Sequence, residues 1–254
     1  MGSSCVLRVN AAEDTQEMAK ELANPVASLI SVPFQSNWDF HMGPDDATRF
    51  RENIQPVIPI SMNEDWNLIS RTILPIIDQG ALSPQIGEKA GLGDMLQSFF
   101  FSPKRPTSDG WIWGAGPVIL LPTATNSLLG AEKWGLGPTA VLLKQSNGWT
   151  YGALLNHIWS IGGAPDRRDV NSTYLQPFLT YTTSTATSFT LATESTYDST
   201  QHQWTVPINF TVAQILKVGG QPISIGAGPG YYAAGPVTKP SWAVRFAVTF
   251  LFPK

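Results

Sequence analysis

The three histidines are the first residues to examine for catalysis, because histidine is the side chain best suited to act as a base near neutral pH. His157 lies in an alternating segment, where Trp159 follows on the same face and Ser160 falls on the opposite face. A serine hydrolase needs a hydroxyl within reach of its base, so this arrangement lacks a nucleophile. His41 and His202 fall in predicted loops, where histidine is usually solvated. The sequence therefore predicts no catalytic residue and no enzymatic activity.

The acidic and cysteine residues do not match a metal or cofactor site. Asp45-Asp46 and Asp94 lack the spacing of a calcium-binding loop, and roles at turns and strand ends suit them better. The single cysteine, Cys5, excludes an internal disulfide and any site built from several cysteines. We therefore expect no metal and no cofactor.

The composition favours a β protein and excludes several other classes. Charged residues make up 14% of the chain, against roughly 25% in an average soluble domain. Glycine (22) and proline (20) are abundant, as are Trp (9) and Phe (12), a mixture unlike that of a helical bundle. The net charge of −3 without a basic block gives no reason to expect nucleic-acid binding. No apolar run is long enough for a transmembrane helix.

Apolar residues recur at every second position along most of the chain after residue 27, which is the pattern of β-strands with one apolar face. In the last segment, for example, every second residue from Trp242 to Phe252 is apolar. We predict about 12 strands, over residues 28–40, 50–61, 66–76, 92–102, 110–121, 136–145, 149–160, 173–183, 186–195, 203–213, 221–231 and 241–252.

Aromatic residues mark both ends of the predicted strands. Trp149 and Trp159 share a strand face ten residues apart, as do Trp242 and Phe252. Ten residues of a strand tilted by about 40° span roughly 25 Å, the height of the apolar band that aromatic girdles bound on an outer-membrane barrel. The candidate girdle comprises Trp38, Trp66, Trp111, Trp149, Trp159, Trp204, Trp242 and Phe252.

The predicted connections alternate between short and long, as short periplasmic turns and longer external loops do. Ser146–Gly148 and Ser184–Thr185 are short, and Gln214–Gly220 is somewhat longer. The longest connections are expected at His41–Arg49, Ile77–Gly91, Pro122–Gly135, Ile161–Ser172, Thr196–His202 and Tyr232–Pro240. The chain end at Phe252 resembles the C-terminal recognition signal of bacterial outer-membrane proteins, with Pro253 and Lys254 following. We therefore predict an all-β fold, a transmembrane antiparallel up-and-down β-barrel of about 12 strands.

A barrel over residues 28–254 leaves residues 1–27 as an N-terminal tail. Ala11–Asn24 holds most of the local charge and predicts a short polar helix, which Pro25 ends. Met1–Val9 is too short for a complete secretion signal, and the remnant of such a signal or of an expression tag fits it.

Residues on the inward faces of the predicted strands are mostly polar and of mixed charge. The candidate pore-lining residues are Gln35, Asn37, Asp39, Arg51, Asn53, Arg71, Asn156, Gln176, Glu194, Asn209 and Arg245. Leu154, Ile158 and Phe178 are also predicted to face inward. Two interpretations remain open, a water-filled passage for small solutes and an interior that inward Arg and Glu fill by pairing across the barrel.

Four segments carry a resemblance to a known family: Gly91–Asp94, Trp111–Pro122, Gly135–Pro138 and Trp149–Gly163. They resemble strand and turn patterns of a family of outer-membrane barrels named after the meta-pathway of phenol degradation, whose bacterial members are often mislabelled neuromedin U. The similarity covers roughly Ala27 to Lys254. It implies an outer-membrane location and a role in transport, and it supplies no functional residue.

Three functional hypotheses follow. The leading one is a monomeric channel in the outer membrane of a Gram-negative bacterium, through which small solutes diffuse. Its expected partners are the lipid bilayer, the barrel-assembly machinery during biogenesis and the solutes themselves. The second is a non-conducting structural or translocator-type barrel, in which Ala11–Asn24 plugs the lumen. The third, a soluble β protein with an apolar ligand, would expose far more apolar surface than soluble proteins tolerate.

Overall fold

Fifteen strand segments form a single antiparallel sheet. The computed structural model describes residues 14–82 and 87–253, so Met1–Val9, the candidate signal or tag remnant, lies outside the described residues. In chain order the segments are β1 (Ile30–Met42), β2 (Ala47–Ile54), β3 (Val57–Ser61), β4 (Trp66–Gln79), β5 (Lys89–Leu92), β6 (Met95–Pro103), β7 (Trp111–Leu121), β8 (Lys133–Ser146), β9 (Trp149–Gly163), β10 (Asn171–Thr182), β11 (Thr187–Thr193), β12 (Ser195–Asp198), β13 (Gln203–Val218), β14 (Gln221–Ala234) and β15 (Trp242–Phe252).

The sheet closes on itself as a barrel of 12 strands. Segments β2 and β3 continue one another across Gln55-Pro56, where Pro56 has no N–H to donate. Two further strands of the barrel are also interrupted. One consists of β5 and β6, and the other of β11 and β12. The first and last strands pair along their length, from Ile30 opposite Phe252 to Phe40 opposite Trp242. Closure leaves no unpaired sheet edge, which a strand structure inside lipid requires. The predicted fold class is confirmed.

All 12 predicted strands are present, but several connections differ from the prediction. The loops expected at His41–Arg49 and Thr196–His202 shrink to residues 43–46 and 199–202, because the flanking strands continue further. The connection expected at Gln214–Gly220 is the two-residue turn Gly219-Gly220. The two segments at the loop end are polar, and polarity alone does not distinguish the end of a strand from a loop. In the third, Ile215, Leu216 and Val218 continue strand β13 to the turn.

We call the two rims of the barrel the turn end and the loop end. The turn end carries the tight connection Asn147-Gly148, where both residues have positive φ values of 50° and 81°. These values match a type I′ turn, whose twist suits a two-residue hairpin. The loop end carries residues 80–88, 122–132, 164–170 and 235–241, which are the longer connections.

The outer surface of the barrel is apolar, and the polar side chains on it pair with each other. Phe34, Leu155 and Phe210 are among many large apolar residues that face outward and are exposed. On the same face the Ser36 hydroxyl donates a hydrogen bond to the Glu52 carboxylate. Such pairing limits the number of polar groups that a bilayer would leave without a partner.

The N-terminal segment, which we define as residues 14–29, lies inside the barrel at the turn end. Its helix spans residues 14–22, within the range predicted for a short polar helix. Met18 and Leu29 pack against the inward side chains of Ile215 and Leu251. No helix among the described residues combines the length and apolarity needed to cross a membrane.

Candidate functional site: the barrel interior

The predicted pore-lining residues come together on the wall of one cavity of about 690 Å³ inside the barrel. All of Gln35, Asn37, Asp39, Arg51, Asn53, Arg71, Asn156, Gln176, Glu194, Asn209 and Arg245 contribute to this wall. Their inward orientation follows from strand alternation, since each barrel strand keeps one parity facing the interior. Their part in the passage of solutes stays a prediction.

Arg245 and Glu194 form an ion pair across neighbouring parts of the wall. The guanidinium Nη1 and Nη2 donate to the two carboxylate oxygens at 2.7 and 2.9 Å. Arg245 Nε also donates to Asn37 Oδ1 at 2.8 Å. This bidentate geometry fixes both side chains, as planar guanidinium–carboxylate pairs do.

A second ion pair lies nearer the loop end. Arg49 Nη2 and Nε donate to Asp39 Oδ2 at 2.7 and 3.0 Å, and the Tyr232 hydroxyl donates to Asp39 Oδ1 at 3.0 Å. Asp39 is completely buried, so these three hydrogen bonds replace its lost hydration. The sequence pattern puts Arg49 in a predicted loop and Tyr232 just past a predicted strand, although both share the parity of neighbouring lining residues.

Arg51 and Arg71 form no ion pair among the described residues. Arg71 Nη2 donates to Gln55 Oε1 at 3.2 Å, and Arg51 Nε is buried without a hydrogen-bond acceptor. Both arginines act electrostatically on Glu194, which Arg245 already neutralises. The cavity wall therefore carries two positive charges in excess of its negative ones, although the chain as a whole is acidic.

One side of the cavity carries a group of apolar side chains, with Ser98 of β6 and Asn156 of β9 beside them. Ile73 and Leu96 lie opposite each other on adjacent strands, and Leu154 and Ile158 face them from β9. The sequence predicted the inward orientation of Leu154 and Ile158, but not that they would share a wall with residues of β4 and β6. That juxtaposition depends on barrel closure.

An apolar layer and the N-terminal segment fill the interior on the turn side of the cavity. Val26 packs into a buried cluster with Ile69, Phe100 and Leu143. Gln145 Nε2 donates a hydrogen bond of 2.7 Å to the Lys20 carbonyl, and Asn67 Nδ2 donates one of 3.0 Å to Ser28 Oγ. These contacts anchor the segment to the inner wall at several heights.

The docked helix changes the acidity of one of its own carboxyls. Partial burial raises the pKa of Glu21, and the neighbouring carboxylate of Glu17 raises it further. The docked state therefore favours the protonated form of Glu21.

Side chains of the loop end hold loops rather than ligands. Asp94 accepts hydrogen bonds from the N–H groups of Ala124 and Ala131 at 3.1 and 2.6 Å, in the turn role that its sequence suggested. Lys133 lies 3.0 Å from Asp169 and lowers the pKa of that carboxyl by hydrogen bonding. Among the described residues, no group of three or more His, Cys, Asp or Glu side chains could hold a metal ion.

The candidate girdle residues lie outside the lumen, towards the two ends of the strands. Trp66, Trp111, Trp149 and Phe252 are near the turn end, whereas Trp38, Trp159, Trp204 and Trp242 are nearer the loop end. Several contact other aromatic rings, such as Trp242, which stacks on Phe40 at 4.3 Å between ring centroids. The predicted girdle omits Trp113 and Trp134, which are also exposed and outward. Contact of these residues with lipid headgroups stays a prediction.

His157 faces outward and lacks a catalytic arrangement. Its Nδ1 lies 2.7 Å from the Thr173 hydroxyl, and its Nε2 has no partner among the described residues. Ser160 points the other way, towards Asp169 at 3.1 Å. A hydrolase would need a nucleophile in reach of the base as well as a group that orients it, and among the described residues no nucleophile lies against the free Nε2 of His157.

Comparison with known proteins identifies the architecture. No family model matches the sequence, and no curated protein sequence matches it. An outer-membrane channel from Pseudomonas putida F1 superimposes with a TM-score of 0.67 at 15% identity, covering 88% of this chain and 94% of that chain. The NanC porin does so with a TM-score of 0.56 at 11% identity, covering 89% and 100%. The fold is that of an outer-membrane β-barrel.

The outer-membrane phospholipase A from Escherichia coli is a more distant match, with a TM-score of 0.46 at 10% identity over 93% of this chain and 98% of that chain. A similarity this low carries no argument about activity. All three identities are low enough that the likeness concerns the fold alone.

Proposed function

We propose that this protein is a channel of the outer membrane of a Gram-negative bacterium, through which small solutes diffuse. The observation that carries the proposal is the polar cavity of about 690 Å³ enclosed by a barrel whose outer surface is apolar. An interior filled by side chains that pair across the barrel would leave no space of this size, whereas here the pairs lie along the wall around it. The channel and the porin that share the fold support the same function.

The passage opens when the N-terminal segment leaves the turn end of the barrel. Its helix and the residues after it occupy the interior between the cavity and the turn-end rim. The second hypothesis, a permanently filled barrel, makes the same segment a fixed plug. The two differ in whether the protein conducts with the segment present: a channel opens at times, whereas a fixed plug conducts only after the segment is removed.

The proposal includes the finer expectations drawn from the sequence. The protein works as a monomer, has no enzymatic activity, and reaches the membrane through the barrel-assembly machinery. It is a relative of the barrel family named after the meta-pathway of phenol degradation. The strand and turn patterns over roughly Ala27 to Lys254 support that kinship.

Single-channel recording of the detergent-refolded protein in a planar bilayer tests the function. Discrete current steps are expected, with anions favoured over cations because Arg51 and Arg71 lack acidic partners. The double variant R51Q/R71Q should lose that preference, whereas R105Q, which removes the same charge from an exposed turn, should keep it. Folded protein that never conducts, even without residues 1–29, contradicts the proposal.

The size of the selectivity change follows from Coulomb's law. A unit charge about 6 Å from a permeating ion in water contributes about 0.7 kcal/mol, with opposite sign for an anion and a cation. One unpaired arginine therefore changes the anion-to-cation ratio by about tenfold at low salt, and two change it by more. Screening reduces the effect at high salt.

A further inference from the structure

The cavity wall has two chemically different sides. Charged and amide side chains line β15, β1 and β2, including Arg245, Asn37 and Arg51. Ile73, Leu96, Leu154 and Ile158 form an apolar group on β4, β6 and β9, with Ser98 and Asn156 as polar neighbours on the same strands. A solute that touches both sides must itself have a charged or polar part and an apolar part.

The positive charge beside the apolar group comes from Arg51 and Arg71, whereas Lys239, which also lines the cavity, belongs to the loop-end connection 235–241. The other two wall arginines are already engaged, Arg49 by Asp39 and Arg245 by Glu194, each at 2.7 Å. A carboxylate is the small anion whose two oxygens match guanidinium donors. Arg51 Nε is buried in the wall, so the donors that a solute can reach are the Nη groups of Arg51 and those that Arg71 leaves free beside its single bond to Gln55.

The two kinds of wall meet at Arg71. Ile73 follows Arg71 by two residues on the same inward face of β4, and Leu96 lies directly opposite Ile73 on β6. Arg51 is opposite Ile77, which also lines the cavity. A carboxylate at the arginines therefore places its attached hydrocarbon beside Ile73 and Leu96.

We propose that the cavity binds small organic carboxylates, with the carboxylate on Arg51 and Arg71 and a compact apolar body on Ile73, Leu96, Leu154 and Ile158. This names the solute class of the proposed channel and rests on that function for its biological meaning. A hydrated inorganic anion would use the arginines and leave the apolar wall uncovered. The cavity volume of about 690 Å³ lies within the range of small-molecule sites.

Isothermal titration of the folded protein in detergent micelles tests the binding with three probes. Cyclohexanecarboxylate has both features, cyclohexanecarboxamide lacks the charge, and acetate lacks the apolar body. Titration into micelles without protein gives the background of each probe. The first probe should bind at least about tenfold more tightly than either of the others, since a hydrogen bond to a charged group contributes about 1.5–3 kcal/mol.

Variants assign the binding to the two sides of the wall. R51Q/R71Q should weaken cyclohexanecarboxylate binding by about tenfold or more, and the exposed control R105Q should leave it unchanged. I73T, which keeps a β-branched residue in the strand, should weaken it by about fourfold through lost apolar contact. The heat-dependent gel shift of folded barrels verifies that each variant is folded.

The results distinguish a failure of the proposed carboxylate site from a failure of the proposed channel function. Equal affinity for the carboxylate and the amide, or for acetate and cyclohexanecarboxylate, overturns it. Unchanged binding by folded R51Q/R71Q also overturns it. Discrete currents without selective binding refute the carboxylate site but support the channel function. Selective binding by a protein that never conducts supports the site and refutes the channel function.

Discussion

Replacing Val26 by aspartate is expected to release the N-terminal segment and open the barrel. Val26 is 5% exposed and packs among Ile69, Phe100, Val141 and Leu143, all apolar and all buried. An aspartate at this position finds no hydrogen-bond donor in that cluster. It must either lose its charge or leave the interior, and leaving takes the rest of the segment with it.

The magnitude follows from the burial of this single side chain. Keeping an aspartate with an ordinary pKa of about 3.9 neutral at pH 7 costs about 4 kcal/mol. Losing the buried valine costs about 1.5 kcal/mol more. The total of about 5.5 kcal/mol shifts the docking equilibrium by about 10⁴. A segment docked about 99% of the time would become undocked about 99% of the time.

Single-channel recording at pH 7 measures the effect. The wild-type protein should open rarely, and Val26→Asp should open most of the time with a larger conductance. Val26→Ala keeps the site apolar and should raise the undocked fraction only to about 10%. Deletion of residues 1–26 provides a second route to the open state that adds no charge.

One result would refute this reasoning. If Val26→Asp folds as a barrel, and neither its conductance nor the protease sensitivity of residues 14–29 changes, the segment does not control the passage. Lowering the pH below about 4 gives an internal check, because protonation of the introduced carboxyl should restore docking and reduce the current.

Three further predictions concern acidity, ion pairing and close packing. Because docking raises the pKa of Glu21 above 4.5, docking is stronger at acidic pH and weakens as the pH rises through that raised value. Currents should therefore increase with pH in this range, and Glu21→Gln should reduce the dependence. Arg245→Leu should destabilise the barrel to urea by about 1–3 kcal/mol, because the partly buried Glu194 loses its bidentate partner. Adding Glu194→Leu should recover much of the loss. Gly137→Ala should lower the stability to urea by roughly 1–3 kcal/mol, because a Cβ at Gly137 would overlap the carbonyl oxygen of His157 on β9. The control Gly162→Ala has open space around the new Cβ and should leave the stability unchanged.

Local pattern was enough to predict the barrel and its inward faces. Side-chain direction in a strand has a period of two, so the parity of Asn37 or Arg245 follows from its neighbours alone. The same rule placed Trp149 and Trp159 on one outer face, ten residues apart. The strand ends at Met42 and Asp198 were harder to predict, because polar residues there can continue a strand as readily as end it.

The sequence by itself determined the strand count and the set of side chains that face inward, because each depends on residues adjacent along one strand. Only the tertiary structure decided which inward residues meet. Arg245 pairs with Glu194 over a separation of 51 residues, which leaves Arg51 and Arg71 as the unpaired charges. Likewise, only the folded barrel places Val26 against Phe100 and Leu143. Such contacts depend on strand tilt, register and closure, which are properties of the whole barrel and are not encoded in any one segment.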